Sequence, residues 1–87
     1  MNGFKYIRSQ VINKTMDELG LLLNVSKQAI YMWESNKKKI PEMRLEQLSE
    51  LSGIPEKYFL IEELSERDKL EIRKHRLNKE FEELYGK

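Results

Sequence analysis

Ser26, Lys27, Gln28, Tyr31 and Met32 are a set of side chains able to hydrogen-bond to, or pack against, the edges of nucleic-acid bases. A Gln amide can pair in bidentate fashion with adenine, a Lys can donate to guanine acceptors or to a phosphate, and a Met can touch a thymine methyl. Tyr31 adds a hydroxyl for phosphate and a ring for packing. These groups share one outward face only on a helix whose Ala29, Ile30 and Trp33 turn inward. Taken alone, the same face is also what a solvated helix surface looks like. Asn36, Lys37, Lys38, Lys39 and Arg44 follow. Basic residues beside a reading helix can clamp phosphates, each neutralised phosphate releasing counterion. An ordinary charged loop is the plainer reading of three lysines in a row.

Such a face must be held by elements that the local sequence can start and stop. Phe4, Ile7, Val11 and Ile12 recur at helical spacing and predict a first helix ending near Asn13. Thr15 and Glu18 form a capping-box pattern for a second helix with Met16, Leu19, Gly20 and Leu23 inward. Asn24 tolerates the left-handed conformation of a sharp turn, Ser26 can cap the third helix, and Asn36 can stop it. Two helices joined so tightly cross steeply, so a small residue is needed at the crossing, and Gly20 meets that demand. Pro41 suits the first turn of a fourth helix containing Leu45, Leu48 and Leu51 and ended by Gly53. Pro55 opens a fifth, with Tyr58, Phe59 and Leu60 closing the core.

The 87 residues allow one small domain, with 39% hydrophobic and 36% charged residues and a formal net charge of +1. No cysteine is present, so disulfides, thiolate metal sites and cysteine nucleophiles are excluded. His75 has no second His or Cys, so a structural or solvated role is expected for it. There is no paired nucleophile and base, no phosphate loop and no clustered metal ligands. A non-enzymatic protein without metal or cofactor is therefore expected. No stretch is apolar enough to span a membrane or serve as a signal peptide, and a cytoplasmic location is expected.

The pattern Thr15-Met16-Asp17-Glu18-Leu19-Gly20, Asn24 to Ile30, Trp33-Glu34 and Arg44 to Leu48 resembles the phage-repressor and Cro-like, or Xre-type, helix-turn-helix family. The resemblance covers residues 4–60. It implies an all-α, five-helix domain that docks its third helix in the major groove of double-stranded DNA, usually as a two-fold dimer on a palindromic operator. By the family's pattern Lys27, Gln28 and Met32 fall at base-reading positions, with Ser26, Tyr31, Asn36, Lys37, Lys38, Lys39 and Arg44 left for the backbone or mixed contacts. Three departures stand out. Met16 replaces a Gln that supports a phosphate contact, and it cannot donate that bond. The first helix and Thr15 are separated by an extra residue, leaving Arg8 without an assigned role. Leu21 and Leu22 stand where the family exposes polar side chains, either as tolerated surface residues or as a partner surface, one covered by the terminal helix.

The division falls at residue 61: a DNA-binding domain over 1–61 and a charged amphipathic helix over 62–87. A capping box at Ser65 and Asp68 starts that long extra helix, which runs to Gly86. Leu70, Leu77 and Leu84 lie seven apart, joined by Phe81 and Tyr85 and interrupted by Lys74. So narrow a seam gains little in water alone, so it should pack on something. Self-pairing into a homodimer, packing back on the domain, and binding another protein are the three options. The leading expectation is a sequence-specific transcriptional regulator, a repressor, acting as a homodimer. The alternative is an antitoxin or other interaction protein whose C-terminal helix binds a protein partner.

Overall fold

Most helices here begin where the sequence offers a side-chain cap. In a computed structural model describing residues 1–86, these residues form α1 (Gly3–Tyr6), a continuing π-helical turn (Ile7–Val11), α2 (Met16–Leu23), α3 (Lys27–Glu34), α4 (Glu42–Ser52), a 3-10 turn (Glu56–Leu60) and α5 (Glu66–Tyr85). The described residues contain no strand. Asn2 accepts from the Lys5 amide at 2.8 Å, and Ser26 accepts from Ala29 at 3.1 Å. Thr15 with Glu18, and Ser65 with Asp68, make complete capping boxes. Asn24 (φ 58°) and Asn36 (φ 61°) adopt the left-handed conformation expected of them, and Gly53 and Gly86 end α4 and α5 in the same region.

The first helix departs from simple periodicity. The Ile12 amide donates to the Ile7 carbonyl at 2.9 Å, five residues back, and Lys14 donates to Arg8 at 2.8 Å. A wide π turn thus closes the first helix ahead of Thr15. Asn13 (φ 55°) then turns the chain towards α2. Ile7 and Arg8, at the start of the π turn, are both buried.

One core joins all the elements: Phe4, Ile7, Leu19, Ile30, Leu48, Ile54 and Ile72 are sealed from solvent, with Trp33, Tyr58 and Phe59 around them. Phe4 meets Phe59 edge to face at 5.9 Å between centroids. Not every expected core position is sealed, Ala29 among them being only half-buried. Met16 and Leu51 are only half-buried, and Leu60 is 58% exposed. A 3-10 turn has three residues per turn, so Tyr58 and Phe59 face inward and Leu60 is carried outward. Pro41 is the cap of α4, one residue ahead of its first turn.

The core crosses residue 61 without a break, because Leu64 and Ile72 belong to it. Helix α5 lies back on the domain: the Arg76 Nη1 donates to the Ser52 carbonyl at 3.0 Å, and the His75 ring is 5.8 Å from that of Tyr58. Lys69 and Arg73 lie over the Tyr6 ring at 5.7 and 5.9 Å. The leucine seam takes no part in this packing. Leu70, Leu77, Phe81, Leu84 and Tyr85 are 61–77% exposed, and at 3.6 residues per turn they centre on the side opposite Ile72. Nor does α5 cover the outer face of α2, where Leu21 is 83% exposed and Leu22 also faces solvent.

Candidate nucleic-acid interface

The angle between α2 and α3 is set by a turn with no slack. The Val25 amide donates to the Gly20 carbonyl at 2.9 Å, and a Cβ on Gly20 would lie 2.7 Å from the Val25 carbonyl oxygen. Gly20→Ala is expected to force α2 and α3 apart at a net cost of about 1–3 kcal/mol, even though alanine is the better helix former. Thermal melts would check this; an unchanged or raised melting temperature would show that the crossing is not tight.

Arg44 braces the same turn from α4. Its Nη1 donates to the Leu23 carbonyl at 2.7 Å and to the Gln47 side-chain oxygen at 3.0 Å. The half-buried guanidinium thereby satisfies an orphan carbonyl at the end of α2. The other end of α3 is anchored by a contact that the sequence reading left unassigned. Arg8 Nε donates to Glu34 Oε2 at 2.6 Å and Nη2 donates to Oε1 at 3.0 Å, both side chains being buried. Arg8 Nη1 also donates to the Lys14 carbonyl at 2.8 Å, and the Asn2 amide donates to the Glu34 carbonyl at 2.8 Å. The available signal was position: Glu34 follows Ile30 by four residues and so continues the inward stripe.

With both ends fixed, α3 presents Lys27, Gln28 and Tyr31 to solvent and leaves Met32 half-buried. Ser26 is exposed, but its hydroxyl is engaged as the cap. The lysine run is not a free loop at its start. Lys37 and Lys38 both donate their amides to the Met32 carbonyl, at 2.9 and 3.1 Å, which folds the run back beside the helix end. A shallow groove of about 420 Å³ results, to which Ser26, Gln28, Met32, Lys38 and Lys39 all contribute. Lys37 and Asn36 are exposed just beyond it, and Lys27 and Tyr31 are exposed on α3 itself. Amide, thioether and ammonium groups thus converge on one concave strip next to an exposed helix.

The model of the helix-turn-helix family matches residues 12–59, from the end of the π turn to Phe59, which is more than half of the chain. The chain belongs to the Xre-type helix-turn-helix family. As a member it is a DNA-binding transcription regulator, of a family that is generally non-enzymatic. Searches of curated proteins and of solved structures return no significant match. The helix-turn-helix match stops before α5, so it does not account for the seam. Among the described residues, no helix is long and apolar enough to cross a membrane, and no group of His, Asp and Glu is placed to hold a metal ion.

Proposed function

We propose that this helix-turn-helix protein is a sequence-specific repressor that reads operator DNA with α3 as a homodimer in the cytoplasm. Lys27, Gln28 and Met32 contact base edges, and Ser26, Tyr31, Asn36, Lys37, Lys38, Lys39 and Arg44 make the backbone or mixed contacts. The observation that supports this most directly is the convergence of Gln28, Met32, Lys38 and Lys39 on one groove beside α3. A Gln amide discriminates bases, and lysine does not discriminate phosphates. Occupying an operator is enough to repress, and that needs only a reading domain and a means of pairing.

The division of labour gives the test. With a duplex selected from a random pool and a scrambled duplex as control, Gln28→Ala is expected to lose about 1–3 kcal/mol on the selected duplex and little on the control. Lys38→Ala is expected to weaken both alike and to reduce the salt dependence by about one counterion. Equal losses for the two variants on both duplexes would remove the assignment. The exposed seam of α5 is equally available to a co-encoded protein, as an antitoxin would require. That alternative keeps the same DNA face and differs only in what covers the seam.

A further inference from the structure

We infer that α5 pairs with α5 of a second copy in antiparallel orientation, with Leu77 at the two-fold axis and Leu70 of each copy level with Leu84 of the other. This rests on the homodimer reading and specifies the interface and its direction. Three observations carry it. The first is the two-sidedness of the helix: Ile72, Arg76 and Lys79 face its own domain, and the opposite side is the exposed strip of Leu70, Leu77, Phe81, Leu84 and Tyr85. These five side chains form one apolar strip along the helix, each 61–77% exposed, of the kind that pairing with a second helix removes from water.

The second is the distribution of charge along the helix. Residues 66–76 carry five basic and three acidic side chains, a net +2, and residues 77–85 carry one basic and three acidic, a net −2. Laid antiparallel, each half meets its complement. At this register Lys74 of one copy falls level with Glu80 of the second, next to the Arg76 to Glu80 ion pair already made within each helix. A parallel pair would set the basic half against the basic half and the acidic half against the acidic half, like charge against like.

The third is a mismatch within the single helix. Glu82 and Glu83 occupy the last turn, where no basic residue is present, so they face the negative end of the helix dipole. The basic half and positive N-terminal end of an antiparallel neighbour offset that cost. The arrangement also leaves the two domains on the outer sides of the helix pair. Each reading helix is then fixed relative to the other through Ile72 and Arg76, as two half-sites require.

The absence of native cysteine makes the direction readable by crosslinking in the full-length chain. Isotope-labelled Leu70→Cys chain and unlabelled Leu84→Cys chain are mixed, oxidised and weighed. Residues 14 apart on a helix are separated by about 21 Å, far beyond disulfide reach, so each register leaves a distinct product. The expected product has the mixed mass. Products of a single isotopic mass would mean a parallel pair and overturn the inference.

Sedimentation supplies the second arm. Leu77→Glu places two like charges at the two-fold axis and is expected to weaken self-association at least roughly a hundredfold. Its thermal melt should still show a folded domain, because Leu77 is exposed. A dimer that survives Leu77→Glu but is lost on changing Leu60, whose groove with Ile40, Pro41 and Leu45 is the competing apolar surface, would overturn the inference. So would a wild-type chain that stays monomeric, or that pairs only with a different protein. In each case, binding of a half-site duplex that depends on Gln28 shows whether the DNA reading itself still stands.

Discussion

Glu34→Ala is expected to destabilise the protein by about 3–5 kcal/mol, because it leaves the Arg8 guanidinium buried without its carboxylate. The whole stability of an 87-residue domain is of order 4–13 kcal/mol, so this one change removes a large part of it. Urea denaturation followed by helical circular dichroism measures the loss. Arg8 would keep only its bond to the Lys14 carbonyl. Replacing both partners with methionine should recover much of the loss, because two apolar side chains in that space leave no charge to desolvate. A loss below about 1 kcal/mol for Glu34→Ala would mean that water reaches Arg8 in the variant. The consequence for DNA is separate from stability. Glu34 is the last residue of α3, and its ion pair ties that end of the helix to the first helix. The double methionine variant keeps the burial and loses the directional anchor, so its affinity for DNA reports how far that anchor positions Gln28 and Met32.

That ion pair shows where sequence reading stops. Caps and turns depend on residues three or four apart, so Thr15 with Glu18, Ser65 with Asp68 and the left-handed asparagines were legible before any coordinates. The outward position of Lys27, Gln28 and Tyr31 followed from the same local periodicity. Arg8 and Glu34 are 26 residues apart, so no local pattern announces their pairing. Arg44 shows the same limit. A basic side chain beside a DNA-binding motif suggests phosphate, and only the packed turn shows the Leu23 carbonyl 2.7 Å from it. In α5 the leucines drew attention to the wrong face for folding. The packed face holds one large apolar residue, Ile72, flanked by Arg76, whose guanidinium donates to the Ser52 carbonyl, and by Lys79, whose aliphatic stem lies against Gly53.

Ile72→Ala and Leu77→Ala are one and a half turns apart on the same helix and should behave oppositely. Ile72 is sealed from solvent, so removing its side chain is expected to cost about 2–5 kcal/mol, through lost burial and the cavity left behind. Leu77 is mostly exposed, so the same truncation should change the stability of the isolated domain by no more than about 0.5 kcal/mol. Denaturation at two widely separated protein concentrations distinguishes them. The Ile72→Ala deficit is internal to one chain and should be the same at both. Any Leu77→Ala deficit should grow with concentration, because it removes stability that pairing contributes by mass action. A deficit below 0.5 kcal/mol for Ile72→Ala would make α5 an appendage resting on a self-sufficient domain of residues 1–61. The expected deficit instead makes α5 part of the folding unit, and any partner bound to its outer face is then mechanically joined to α3 through the core itself.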